Sequence, residues 1–223
     1  MDMDTLVRTM TRIGAVAALL GGATLGIADG WAQALELLHR TTPLGLSTPE
    51  RIISGLMLYG GLITVVALVG LYARQAQRAG TFGLVAFLAA LLGTAAMVGS
   101  DWMEFYGGPA VLAIAPRFRD TPAPTIMVGF LLNFAIYAIG WLLFAASLVR
   151  ARVFPRPAAL ALLASLLLYL YPLAHHVGPL GVAAALLWLG LSAWRGGHVA
   201  SRPAGARPEG PLVAATDASR RGA

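Results

Sequence analysis

The chain has 223 residues, 58% of them hydrophobic and only 12% charged, with a mean hydropathy of +0.74. A soluble domain carries about 25% charged residues, so a large water-soluble catalytic domain is excluded and a membrane protein is indicated. The net charge of +6 comes from sixteen Arg, with no Lys, against six Asp and four Glu, and cysteine is absent, which removes disulfides, thiolate metal sites and cysteine nucleophiles.

Six apolar runs follow one another, each near the length of a membrane-spanning helix. They predict an all-α polytopic transmembrane bundle of six helices, near 13–38, 52–73, 81–106, 126–149, 157–173 and 177–194, within a membrane domain of residues 1–195. The first run, Ile13–Ala28, carries Gly22 and Gly26 at a spacing that permits close helix packing. Ala32-Gln33-Ala34 behind it would suit signal-peptide cleavage. Apolar residues continue through Leu35, Leu37 and Leu38, however, so an uncleaved first helix is expected.

The second run, Ile52–Ala73, is introduced by Ser47-Thr48-Pro49-Glu50. That motif supplies a capping hydroxyl, a first-turn proline and an acid favoured by the helix dipole. The third and fourth runs, Thr81–Ser100 and Ile126–Val149, have no clean polar face. Pro157 opens the fifth run, Pro157–Leu173, and the sixth is Val177–Trp194. Residues 196–223 are rich in Gly, Pro, Ala, Ser and Arg without apolar periodicity, which predicts a disordered cytoplasmic tail.

The arginines orient the bundle. Arg8, Arg12, Arg74, Arg78, Arg150, Arg152, Arg156 and Arg195 flank the runs on one side of a six-span topology. Only Arg40, Arg51, Arg117 and Arg119 flank them on the other. The positive-inside rule then places both termini in the cytoplasm, in a cell inner (cytoplasmic) membrane. Scattered in this way, the arginines form no clustered basic face, so no nucleic-acid partner is expected.

Polar residues near or within membrane helices are the candidates for chemistry. Most collect at the outer ends of the runs: Asp29 and Glu36 after the first, Asp101 and Glu104 after the third, His175 and His176 before the sixth. Asp101 and Glu104 share a helix face. With a nitrogen from His175 or His176 they would make a metal centre with a position left for an activated water. Deeper in the membrane, Asn133 and Tyr137 lie one turn apart on the fourth helix, suited to interhelical hydrogen bonds or to a solute path. The histidines His39, His175, His176 and His198 offer no facing pair at depth, so haem is not expected, and no cofactor is.

Two stretches carry a resemblance. Leu71-Tyr72-Ala73-Arg74-Gln75 closes the second run, and Arg150-Ala151-Arg152-Val153-Phe154-Pro155-Arg156 precedes the fifth. In these turns the chain resembles a family of uncharacterised bacterial six-helix integral membrane proteins, a domain of unknown function. It departs from them at Pro157, where a Trp would be usual. The resemblance implies a six-helix bundle without assigning an activity or a catalytic residue. The expected function is a non-enzymatic accessory or sensory membrane component, with membrane lipids, another membrane protein or a second copy as partners. Two alternatives stand beside it: an outer-face metal-dependent hydrolase of lipid-like substrates, and a carrier of a neutral or lipid-like solute lined by Asn133 and Tyr137.

Overall fold

The hydroxyl of Ser47 accepts a hydrogen bond from the Glu50 N–H (3.5 Å), and the Glu50 carboxylate accepts from the Ser47 N–H (3.0 Å). This capping box starts a helix where the sequence motif places one. The computed structural model describes residues 2–38, 47–115, 124–171 and 177–199, with the side chains of residues 3, 4 and 197–199 excepted. Among these residues the chain is helical apart from short turns. The helices are α1 (Met3–Leu37), α2 (Thr48–Trp102), a π-helical turn (Met103–Gly107), α3 (Gly108–Ile114), α4 (Pro124–Ala151), α5 (Arg156–Leu170) and α6 (Val177–Val199).

The boundaries correct the expectation in several places. Helix α1 begins at Met3, ten residues before the apolar run, because polar residues extend a helix readily once its apolar part is packed. It passes through Ala32-Gln33-Ala34 without a break. The second and third runs form one helical stretch, α2, interrupted at a single residue, Gly80 (φ 59°, ψ −160°). The third helix does not end near 106 but continues to Ile114 through the π-turn. Pro109 supplies the reason: its ring would clash with the carbonyl four residues back, and the wider turn removes that contact. Gly108 accordingly donates its N–H to the Met103 carbonyl, five residues earlier. Helix α5 stops at Leu170 rather than 173, and α6 carries on through Arg195 to Val199, into the segment expected to be tail. The remainder of that tail lies outside the described residues.

The two arms of α2 run antiparallel. Ser54 bonds Glu104, a Cβ on Gly61 would press on Val98, and Tyr72 stacks on Phe87 with ring centroids 4.4 Å apart. These pairs step inward from both sides toward Gly80. The helices close a ring in which α1 packs between α2 and α6, α4 between α2 and α5, and α5 against α6. Glycine brings the backbones together at the interfaces. A Cβ on Gly14 would strike Gly70 of α2, and one on Gly22 would lie 2.9 Å from the Ala183 carbonyl of α6.

Trp141, Phe144, Leu68, Leu148, Leu162 and Leu189 fill the centre, completed by alanines such as Ala15, Ala90, Ala145 and Ala159. Large apolar side chains face outward instead, Leu92 being 66% exposed and Leu132 58%. Alanine and glycine at the helix contacts, with large apolar side chains over the perimeter as well as in the core, is the distribution of a bundle whose solvent is lipid. Four helical stretches are long and apolar enough to cross a membrane: Thr5–Leu37, Thr48–Ile114, Pro124–Ala151 and Val177–Gly196. Helix α5 is shorter, so six separate spans are not delineated.

Arginine gathers at one end. The Arg74 guanidinium on α2 donates to the Ser192 and Ala193 carbonyls of α6 (3.3 and 2.8 Å) and lies 5.2 Å from the Phe154 ring. Arg150 lies over the Phe82 ring at 5.7 Å. The beginning of α1, the Gly80 break, the α4–α5 turn and the end of α6 therefore form a basic end. The opposite end carries Asp29, Glu36, Glu50, Asp101 and Glu104.

Candidate functional site

The acidic end is built by four helices. Asp29 reaches it from α1, Asp101 from the second arm of α2, Asn133 and Tyr137 from α4, and Tyr169 from α5. All five side chains are half-buried. Asp101 lies within electrostatic reach of both Asp29 and Glu104, and Tyr137 and Tyr169 within reach of both aspartates. The Asp101 carboxylate sits over Gly61, where an added Cβ would lie 3.9 Å from its Oδ2. Among the described residues, neither Asp29 nor Asp101 has a hydrogen-bond partner. Phe134 packs edge-on against Tyr169 (5.4 Å) and Tyr137 against Trp141 (6.1 Å), which holds both phenol rings in place.

The other expected site residues are distributed differently. Glu104, in the π-turn, accepts a 2.7 Å hydrogen bond from the hydroxyl of buried Ser54. It shares the inner side of the α2 hairpin with Asp101 but turns to its own partner. Asn133 donates to the Ala96 carbonyl (3.3 Å) and the Ser100 hydroxyl (2.9 Å), so its amide ties α4 to α2. Glu36 is exposed near the end of α1. His175 and His176, with His39, lie outside the described residues. Among the described residues, no three His, Asp or Glu side chains are grouped to hold a metal ion.

Asn133 belongs to a series of polar links between α2 and α4. Halfway along, Trp141 Nε1 donates to Thr94 Oγ1 (3.0 Å), whose hydroxyl donates to the Ala90 carbonyl (2.7 Å). Nearer the basic end, the Gln75 amide donates to Ser147 Oγ (3.0 Å). In an apolar bundle each of these groups needs such a partner, and together they set the register of the two helices. Thr94, Gln75 and Ser147 escape a search for charged residues, although a hydroxyl within an apolar run, as at Thr94 and Ser147, is itself a signal.

Tyr169 and Ser54 are the members of the acidic end that sequence reasoning passes over. Both stand near the outer ends of their runs, at the level of the acids, which is the signal that could have found them. Around them Tyr59 and Tyr106 exchange a 3.2 Å hydrogen bond, and Trp102 and Phe105 pack against Tyr106 at 5.7 and 4.6 Å. Trp and Tyr concentrate where a bilayer meets water. The acidic cluster thus sits just inside an aromatic rim. Comparison of the chain with protein-family models, curated proteins and solved structures finds no match.

Proposed function

We propose that this protein is a six-pass integral membrane protein of a bacterial cytoplasmic membrane, with both termini in the cytoplasm. It acts as a non-enzymatic sensory component, and its outward acidic cluster takes up a cation. Six passes are supported by helix length. At 1.5 Å per residue, the arm from Thr81 to Trp102 is roughly 33 Å long, close to the hydrocarbon thickness of about 30 Å. Gly80 then serves as the turn between two passes. The gathering of arginines at one end supports the orientation.

One observation carries the sensory reading: Asp29 and Asp101 converge from separate helices without a hydrogen-bond partner among the described residues. Two carboxylates within electrostatic reach of one another in a poorly solvated surrounding repel one another, and a cation or proton taken up there reduces that repulsion. Since they sit on α1 and α2, their occupancy bears on how those two helices pack, which is what a sensor transmits to a partner.

Trp31 and Trp102 stand close to the two aspartates in sequence and serve as reporters. The purified protein in lipid nanodiscs is titrated with sodium, calcium and tetramethylammonium, and separately with acid. A saturable change in tryptophan fluorescence is expected with at least one of these. Asp29→Asn and Asp101→Asn should each abolish it, and Glu36→Gln should leave it intact. Silence toward every probe would sink the sensory reading. A tightly bound transition metal lost in Asp101→Asn would replace it with the hydrolase-type centre.

A further inference from the structure

On the perimeter of the bundle, an open groove of about 510 Å³ runs along α1 between the first arm of α2 and α6. Its walls include Ile13, Val16 and Leu20 of α1, Ile63 of α2 and Trp194 of α6. From Ile13 to Leu20 it extends roughly 11 Å along the helix axis, most of the roughly 15 Å depth of one leaflet. The lining is apolar except at its basic end, where Arg12 closes it. The Arg12 guanidinium is exposed at the mouth of the groove and has no ion pair or hydrogen bond among the described residues. Arg8 lies one turn earlier on the same face of α1, and Arg195 follows Trp194.

We propose that this groove binds one anionic phospholipid from the leaflet at the basic end, with an acyl chain along Ile13–Leu20 and its phosphate on Arg12. Arginine presents a planar fork that suits phosphate oxygens. Trp194 sits at the depth where headgroup and hydrocarbon meet, the usual station of a membrane-protein indole. A second copy is a poorer occupant. A two-fold axis along the bundle would set each Arg12 beside its counterpart, placing like charges together in a weakly solvated seam. The proposal rests on the membrane placement given above but not on the acidic cluster at the other end.

The test is native mass spectrometry of the full chain, released from mild detergent after exchange into mixtures of phosphatidylglycerol and phosphatidylcholine with matched acyl chains. The wild-type protein should retain about one phosphatidylglycerol in preference to phosphatidylcholine. Arg12→Gln should lower that preference about fivefold, the equivalent of one basic contact near a membrane surface. Val66→Trp, which fills the groove, should reduce retention of both lipids, and Arg78→Gln on the Gly80 turn should change neither. Because the Arg12→Gln readout is a ratio within one preparation, a partly unfolded fraction does not mimic it. Equal retention of the two lipids by the wild type, or an undiminished preference in Arg12→Gln, would overturn the proposal. So would a stable dimer that excludes lipid and is broken by Val66→Trp.

Discussion

At Gly80 the backbone adopts φ 59° and ψ −160°, a conformation essentially reserved for glycine, and an added Cβ would find nothing within 4 Å. The cost of a side chain there is therefore conformational and not steric. Gly80→Ala should destabilise the bundle by about 1–3 kcal/mol, read as a lower midpoint in thermal or detergent unfolding. Arg152 is the mirror case. It follows the last residue of α4 with φ 54°, its N–H donating to the Leu148 carbonyl, in the left-handed cap that usually holds glycine. Arg152→Gly should stabilise by about 0.5–1 kcal/mol in the same assay, provided its charge has no further role. Opposite signs from one pair of substitutions would assign both effects to backbone conformation. Only Gly80 was exposed to a guess from sequence, since it stands between two apolar runs. Nothing in the letters around Arg152 announces a positive φ.

The elements are joined by contacts whose side chains had simpler readings in isolation. Arg74 counts toward orientation in the sequence. In the fold it bridges α2, the α4–α5 turn and the last turns of α6, reaching two carbonyls and an aromatic ring. Gly196 lets it approach, since a Cβ there would strike its guanidinium. Arg74→Ala should cost about 2 kcal/mol, given charged hydrogen bonds of about 1.5–3 kcal/mol and some solvent access. Arg74→Lys should recover less than half of that, because an ammonium cannot span two carbonyls and stack on Phe154 together. Full rescue by lysine in an unfolding assay would show that charge alone matters. Gln75, the next residue, is wholly buried and bonded to Ser147, so this turn has a packing role at both positions.

At the scale of the molecule, the absence of cysteine makes the orientation directly testable. Thr48 begins the first arm of α2 at the acidic end, and Thr81 follows the break at the basic end; both are exposed. Single-cysteine variants Thr48→Cys and Thr81→Cys, treated in intact cells with a membrane-impermeant maleimide, should label at the first position and not the second. Reversed labelling would invert the bundle, and labelling of both would mean that no membrane lies between them. The same measurement bears on six passes, because a protected residue 81 between accessible sites at 48 and at Met103→Cys requires the chain to return. So many large apolar side chains on the outside argue physically against a soluble bundle of this shape.

Composition alone determined the solvent of this protein, because too few charges exist to cover it in water. Apolar run length determined that it is helical, since a backbone in hydrocarbon must satisfy its own hydrogen bonds. The Ser47–Glu50 motif announced one helix start, which lies at Thr48 and not at the expected bound near 52, because a capping box is local chemistry. What the tertiary structure decided is which distant residues meet. Asp29 and Asp101, Trp141 and Thr94, Arg74 and the end of α6 are each separated by dozens of positions in the chain. An apolar run has no clear polar face from which to read its rotation about its own axis, so its neighbours could not be assigned from the letters. Backbone approach at small residues sets that rotation, as at Gly14 with Gly70, and the polar pairs follow from it.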